Sequence, residues 1–148
     1  MSCKPEILLV EDNLQDAELT IFALKKRTLA NHFVHVQDGQ EAIDFLFCEG
    51  AYSARNALEM PKVILLDLKL PKLSGIEVLR LLRADDRTRT VPVVVLSSSR
   101  EERDVIAAYQ LGANSYIVKP VDFENFLEVV SNMITYWMLI NELPNLKL

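Results

Sequence analysis

Cysteine, basic charge and long apolar runs are all scarce in this sequence, and each scarcity excludes a class of protein. Two cysteines, Cys3 and Cys48, are too few for a disulfide framework and indicate a reducing compartment. Sixteen basic against 21 acidic residues leave a net charge of −5, which disfavours nucleic-acid binding because that binding needs a basic face. The first apolar stretch carries charged residues, so the N-terminus predicts neither a signal peptide nor a membrane span. We therefore expect a cytoplasmic protein that contacts neither nucleic acid nor membrane.

Short apolar runs alternate with longer segments of helical spacing along the 148 residues, a length typical of one domain. The runs are rich in Val, Ile and Leu, as is typical of strands buried on both faces of a parallel sheet. The five runs are Ile7–Val10, Phe33–Val36, Val63–Leu66, Val93–Leu96 and Ser115–Val118. This alternation predicts an α/β fold with a doubly wound, five-stranded parallel sheet.

The segments between the predicted strands contain helix starts and connections. Asp38 and Ser74 each stand three residues before a glutamate, which predicts a helix N-cap at each position. Residues 49–60 lack a period and predict a long loop. Residues 83–89 are densely charged and predict a solvated connection.

Polar side chains follow four of the five apolar runs, where each predicted strand ends. They are Glu11, Asp12, Asp67, Ser97 and Lys119. Ligands of open parallel sheets bind beyond the carboxyl ends of the strands. With a strand order of 2-1-3-4-5, these side chains would converge on one rim.

Glycine is absent from the turn after the first predicted strand, which excludes a site that cradles nucleotide phosphates. The turn instead contains three acids: Glu11, Asp12 and Asp16. Crowded carboxylates attract a hard divalent cation, and Mg²⁺ typically takes one or two of them while keeping waters. The alternative interpretation is that the first two acids merely cap the first helix.

Asp67 is the candidate nucleophile of this rim. An aspartate after a buried strand is often only a turn former. Beside other acids, a cation and Lys119, it becomes a candidate for phosphoryl transfer, since carboxylates form acyl phosphates and cations neutralise the transferring group. The Lys119–Pro120 bond is a candidate cis peptide.

The strand-end motifs resemble those of the receiver domain of two-component response regulators. The resemblance runs from about Pro5 to Tyr136 and includes the acid pair, VILLDLKLPKLSG, VVVLSSS and YIVKP, in family order and spacing. It implies a flavodoxin-like fold with strand order 2-1-3-4-5 and a bound Mg²⁺ ion. The implied Mg²⁺ ligands are the side chains of Glu11, Asp12 and Asp67 and the backbone carbonyl of Lys69.

The same resemblance assigns roles in phosphoryl transfer. Asp67 would accept the phosphoryl group, and Lys119 would pair with it. Ser97 would be the switch hydroxyl that bonds the phosphoryl group, with Tyr116 as the switch aromatic. Pro71 and Gly75 match the turn that shapes the loop after the acceptor.

More narrowly, the chain resembles the single-domain regulators associated with cyanobacterial phytochrome histidine kinases. The long loop after the second helix, the phrase YIVKPVDFENF and the pair Tyr136-Trp137 carry this likeness. It implies a single receiver domain over residues 1–148, with a C-terminal helical extension from about 137 to 148 and no output domain. A sensor histidine kinase, a phytochrome, would donate the phosphoryl group, and the output would pass through protein contacts.

The rival interpretation is an enzyme, a Mg²⁺-dependent phosphohydrolase of the haloacid-dehalogenase type. That family needs a second aspartate two residues after the nucleophile as a general acid, and this chain has Lys69 there. A signalling protein that only phosphorylates and dephosphorylates itself is therefore the expectation. His32 and His35 are assigned no function, because no Cys or acid stands near them at metal-ligand spacing.

The last predicted helix, from Phe123 to beyond Trp137, carries two apolar lines. The core line is Phe126, Leu127, Val130, Ile134 and Trp137. The second line is Val129, Met133, Tyr136 and Ile140, with Leu139 and Leu143 nearby. It has near coiled-coil spacing and would meet water in a monomer. By resemblance, a homodimer through the face of helix 4, strand 5 and helix 5 and the C-terminal helix is expected; the alternative is a tail folded over its own domain.

Overall fold

Five parallel strands form a single sheet in the order β2-β1-β3-β4-β5, which confirms the predicted fold class and strand order. The computed structural model describes residues 6–26 and 32–144. Cys3, Pro5 and positions 145–148 of the expected C-terminal extension lie outside the described residues. The strands are β1 (Ile7–Val10), β2 (Phe33–Val36), β3 (Val63–Leu66), β4 (Val93–Ser97) and β5 (Ser115–Val118).

The three central strands β1, β3 and β4 are buried along their whole length, which is why their sequences are apolar apart from Ser97, the residue by which β4 extends beyond the predicted run. Val10 lies beside Leu66, and Leu66 lies beside Val95. The residues that follow these strands therefore emerge at the same edge of the sheet. This register places the predicted rim at one edge.

Helices cover both faces of the sheet, as the doubly wound prediction requires. They are α1 (Leu14–Lys26), α2 (Gly39–Leu46), α3 (Gly75–Ala84), α4 (Glu102–Gln110) and α5 (Phe123–Thr135). Side chains of α1 and α5 share one buried cluster, and side chains of α2, α3 and α4 belong to the other.

Side-chain caps fix where four of these helices begin, including α5, where Oδ1 of Asp122 accepts from the N–H of Glu124 at 2.8 Å. The carboxylate of Asp38 accepts from the N–H of Glu41 at 2.7 Å, and the hydroxyl of Ser74 accepts from the N–H of Glu77 at 3.3 Å. Both caps were predicted. Helix α1 is capped by the Asn13 side chain rather than by the acid pair before it, which leaves those acids available for another role.

The predicted connections at 49–60 and 83–89 are more ordered than the sequence suggests. The first contains a short 3₁₀ turn, Gly50–Tyr52. In the second, Thr88 is fully buried and Arg83 is half-buried, so this stretch is not simply solvated. The prediction of a solvated connection holds for the exposed Ala84, Asp86, Arg87 and Arg89 but fails at Thr88 and at Arg83, which donates to the carbonyl oxygens of Thr88, Val91 and Gly112.

The expected C-terminal extension is helical only in its first part. Helix α5 ends at Thr135, a π-helical turn continues over Tyr136–Ile140, and the backbone becomes extended at Asn141. Residues 141–144 carry no helix. Within the described residues, the extension predicted from about 137 therefore stops being helical at Ile140.

Candidate metal centre and phosphoacceptor site

Three carboxylates lie together at the carboxyl edge of the sheet. One oxygen from each of Glu11, Asp12 and Asp67 falls within 4.8 Å of the other two. Glu11 and Asp67 are buried, whereas Asp12 is exposed and keeps the group open to solvent. This all-oxygen donor set fits a hard divalent cation, which would also relieve the repulsion among the carboxylates.

The ammonium group of Lys119 is the positive charge of the site. Its Nζ lies 2.6 Å from Oε1 of Glu11, 2.8 Å from Oδ2 of Asp16 and 3.0 Å from Oδ2 of Asp67. The side chain is buried, so these three acceptors replace water around the ammonium. Lys119 therefore joins the candidate acceptor Asp67 to the end of β1 and to helix α1.

Asp16 had no role in the sequence-based prediction, although it contacts Lys119. The available signal was that it is the third acid after β1 and lies in the first turn of α1. Nothing in the spacing alone shows that its carboxylate faces the rim rather than solvent. The contact depends on how α1 packs against the sheet edge.

Burial shapes the titration of both charged partners. It raises the pKa of Glu11 to about 8, and the hydrogen bond with Asp67 acts in the same direction against Lys119. For Lys119, burial would lower the pKa, but the hydrogen bonds to Asp16 and Glu11 outweigh it and raise the pKa. The ammonium stays charged at neutral pH, and the carboxylates favour still more positive charge beside them.

The loop after Asp67 folds back tightly on the acceptor. A Cβ atom at Gly75 would lie 2.2 Å from the backbone oxygen of Asp67, so only glycine fits there. The N–H of Gly75 donates to the carbonyl of Leu68 at 2.8 Å, and the N–H of Lys69 donates to Oδ1 of Asp67 at 3.4 Å. The role of the Lys69 carbonyl as a metal ligand stays a prediction.

The two predicted switch residues meet at Ser99. Ser97 is fully buried at the end of β4, and its Oγ accepts from the N–H of Ser99 at 3.1 Å. The Tyr116 hydroxyl donates to the backbone carbonyl of Ser99 at 2.9 Å. The Ser99 hydroxyl in turn donates to Asp104 in the first turn of α4, at 2.5 Å. Sequence reasoning missed Ser99, which the run of three serines offered as a signal.

Two neighbours of the site can be compared with the expectations from sequence. Nε2 of His35 lies 2.8 Å from the backbone oxygen of Glu11. Because a carbonyl only accepts, Nε2 carries the hydrogen, and the ring supports the end of β1. The Lys119–Pro120 peptide bond is trans, so the cis candidate is wrong.

Comparison with known proteins decides the family. Residues 7–131 match the family described as the response regulator receiver domain. The chain belongs to this family. Receiver domains of response regulators are signalling proteins, and this receiver domain places its acid cluster and lysine at the edge where its sequence motifs predicted them.

Individual relatives strengthen this assignment. The receiver domain is 37% identical over 138 residues to response regulator Rcp1 of Synechocystis sp., covering 93% of this chain and 92% of Rcp1. The Mn²⁺-bound structure of Rcp1 matches with a TM-score of 0.86 and 35% identity, over 95% of this chain and 99% of that one. The phosphorylated cyanobacterial phytochrome response regulator RcpA matches with a TM-score of 0.89 and 38% identity, over 97% and 100%.

A third similar structure is the bacteriophytochrome response regulator RtBRR, at 47% identity and a TM-score of 0.76, over 97% of this chain and 86% of that one. These likenesses favour the response regulator over the phosphohydrolase alternative. Across residues 6–26 and 32–144, no helix combines the length and apolar character needed to cross a membrane.

Proposed function

We propose that this chain is a cytoplasmic, single-domain response regulator that accepts a phosphoryl group on Asp67 from a sensor histidine kinase, a phytochrome. The observation that carries the proposal is the contact of Lys119 with Asp67 beside the three-carboxylate cluster. The printed names of RcpA and RtBRR associate those similar proteins with phytochromes. Apart from its own phosphorylation and dephosphorylation, the chain would catalyse no reaction.

In the proposed reaction, a carboxylate oxygen of Asp67 attacks the phosphorus of a phosphohistidine. The new P–O bond forms as the P–N bond breaks, and the imidazole leaves. Lys119 then pairs with a phosphoryl oxygen, and the Ser97 hydroxyl donates to another. Mg²⁺, the proposed resident ion, would add positive charge against the transferring group, held by Glu11, Asp12, Asp67 and the Lys69 carbonyl.

Substitution of the acceptor tests this proposal. With labelled acetyl phosphate and Mg²⁺, the wild type should take up acid-labile label, because an aspartyl phosphate is an acyl phosphate. The Asp67→Asn protein should fold and take up none, and removal of Mg²⁺ by a chelator should abolish uptake by the wild type. An Asp86→Asn variant, altered at an exposed aspartate that pairs with Arg89, is the matched control. Undiminished labelling of Asp67→Asn would contradict the assignment.

The donor is tested by competition among kinases. Purified histidine kinases of the source organism, phytochromes included, are phosphorylated and then mixed with the regulator for short times. The cognate donor should transfer its label to Asp67 before the others do, since affinity and orientation set the rate at limiting times. Preferred transfer from a kinase that is not a phytochrome would refute this part of the proposal.

A homodimer is the second part of the proposal. We define the C-terminal apolar patch as Tyr136, Leu139, Ile140 and Leu143, all of which are exposed. Such a contiguous patch is typical of an interface. Met133, which the sequence placed on this line, is only 7% exposed and packs in the core with α1 and α5. Its expected exposure is wrong because α5 buries a wider face than one stripe.

A further inference from the structure

The third acceptor of the Lys119 ammonium lies outside the cation-binding group. Oδ2 of Asp16 is 2.8 Å from Nζ of Lys119, nearly as close as Oε1 of Glu11. Asp16 is absent from the set of carboxylates that converge to hold a metal, which consists of Glu11, Asp12 and Asp67. A divalent ion would therefore compete with Lys119 for Glu11 and Asp67 but leave Asp16 to the lysine.

The ammonium group of Lys119 is held well away from the strand that its backbone follows. It follows β5 at one edge of the sheet, whereas Glu11 follows β1, which is separated from β5 by β3 and β4. Strands lie about 4.8 Å apart, so the ammonium serves acceptors several strands away from its backbone. A free lysine side chain has many accessible rotamers, so its head group needs fixed partners to stay in one place.

Asp16 is itself fixed by the start of α1. Its N–H donates to Oδ1 of Asn13 at 3.1 Å, and its carbonyl accepts from the hydroxyl of buried Thr20 at 2.8 Å. The helix start that caps α1 therefore also sets the position of this carboxylate. Asp16 is only partly buried, and its side chain keeps 29% exposure.

We propose that Asp16 is a positioning residue that holds the Lys119 ammonium beside Asp67 when a divalent cation engages Glu11 and Asp67. The inference rests on the proposed function, because it assigns Asp16 a part in phosphoryl transfer to Asp67. Lys119 contacts the transferring group, and Asp16 acts only through Lys119.

Substitution of Asp16 tests the proposal through rate and cation affinity separately. Labelling by acetyl phosphate is followed over a range of Mg²⁺ concentrations in the wild type and in Asp16→Asn. The maximal rate should fall about tenfold or more, the size expected for lost positioning. The Mg²⁺ concentration at half-maximal rate should rise, since without Asp16 the ammonium competes more strongly for Glu11 and Asp67, but saturating Mg²⁺ should not restore the maximal rate. Glu18→Gln, an exposed acid on the same helix, removes the same charge and should label like the wild type.

Three results would overturn the proposal. One is a wild-type labelling rate in Asp16→Asn. Another is recovery of the wild-type maximal rate at saturating Mg²⁺ in that variant, which would limit the role of Asp16 to cation affinity. The third is equal slowing in Glu18→Gln, which would show that the slower labelling comes from the loss of any negative charge on α1 and not from the contact with Lys119.

The proposal can also be tested on the unphosphorylated wild type, which requires neither labelling nor a variant that folds. Nuclear magnetic resonance of the lysine ammonium groups should show slowly exchanging protons for Lys119 that persist at saturating Mg²⁺. Exchange as fast as that of an exposed lysine after Mg²⁺ addition would refute the proposal that Asp16 holds the Lys119 ammonium. If the wild type accepts no label but the Lys119 signal persists, the proposed function fails, whereas the inference that Asp16 holds the Lys119 ammonium is retained.

Discussion

Acids outnumber bases around the acceptor. Glu11, Asp16 and Asp67 contact the ammonium of Lys119, and Asp12 lies in the same carboxylate cluster as Glu11 and Asp67. Burial of Glu11 sharpens the imbalance, because it withdraws water from a carboxylate that lies beside another carboxylate. A ligand that brings two positive charges should therefore bind the folded chain and stabilise it.

Magnesium should raise the midpoint of thermal unfolding. A ligand that binds only the folded state at about 100 times its Kd stabilises that state by about 2.7 kcal/mol. Asp12 is exposed, so Asp12→Asn should fold normally yet lose most of the Mg²⁺-induced rise. Asp86→Asn should keep it. Thermal denaturation with and without Mg²⁺ checks this, and an undiminished rise in Asp12→Asn would exclude Asp12 as a ligand.

Replacement of Ser97 should separate phosphorylation from its consequence. The Ser97→Ala protein retains Asp67 and Lys119, so it should still accept a phosphoryl group. It lacks the hydroxyl that would draw the segment at Ser99 toward the phosphoryl group, so the ring of Tyr116 should no longer respond. Hydrogen exchange of β5, before and after phosphorylation, measures this. An equal response in both proteins would place the switch elsewhere, and Ser98→Ala, an exposed neighbour, is the control.

Among the secondary-structure elements, the end of α3 is tied to its neighbours by one guanidinium. Arg83 donates to the backbone oxygens of Val91 at 2.9 Å, Thr88 at 3.3 Å and Gly112 at 3.0 Å. It also donates to Oδ1 of Asn114, which accepts from the N–H of Val93. One side chain therefore joins α3, the entry to β4 and the connection from α4 to β5.

Truncation of this guanidinium should destabilise the fold. Arg83→Ala should lower the free energy of unfolding by about 2–3 kcal/mol, because hydrogen bonds to charged groups contribute roughly 1.5–3 kcal/mol and several are lost together. Arg83→Lys should recover only part of the loss, since an ammonium cannot reproduce the planar fork. Urea denaturation measures all three proteins.

The same helix provides the control. Arg80 pairs with Glu77 on the exposed face of α3, and exposed pairs contribute only about 0–1 kcal/mol. Arg80→Ala should therefore stay close to the wild type. If the two alanine variants were equally stable, the guanidinium of Arg83 would have no special structural role.

Elements buried on both sides were the most predictable from sequence. Strands β1 and β3 are apolar at every position and β4 at every position but its last, Ser97, because both faces are covered, so composition predicts their bounds to within one residue. The residues just beyond these strands then had to meet at one edge. Fold class, strand order and the grouping of Glu11, Asp12 and Asp67 followed from those runs and from the family resemblance.

Contacts that charged side chains make with other elements were not predictable from the sequence. Arg83 and Asp16 stand in charged stretches that resemble solvated surface, and their partners lie on other elements. Such contacts depend on how the helices pack, which local sequence does not encode. Met133 was misplaced for a related reason, since periodicity shows a helix face but not how wide a face the sheet covers.

At the scale of the whole molecule, the C-terminal apolar patch predicts a homodimer. Ile140 is 63% exposed and Tyr136 is 45% exposed, and both lie in the last helical segment of the described residues. A stable dimer buries about 800 Å² per partner, so the patch must act with the adjoining face of α4, β5 and α5. Light scattering at micromolar concentrations should find two copies together.

Charge on the patch should separate the copies without unfolding them. A Tyr136→Glu, Ile140→Glu double variant changes exposed positions only, so it should give folded monomers. Leu58→Glu, at an exposed leucine in the loop after α2, should remain dimeric. A wild type that stays monomeric with and without phosphoryl donor would rule the dimer out.

The close approach of Gly75 to the backbone oxygen of Asp67 has a consequence for how this molecule can evolve. Every single-base missense change of a glycine codon introduces a side chain, and any side chain there collides with the acceptor's own backbone. Because a changing sequence cannot pass through such a substitution at Gly75, the start of α3 and the strand before the acceptor should be retained together during evolution. Variation in the loop should accumulate at its exposed positions, while the first residue of α3 stays glycine because of the backbone oxygen beside it.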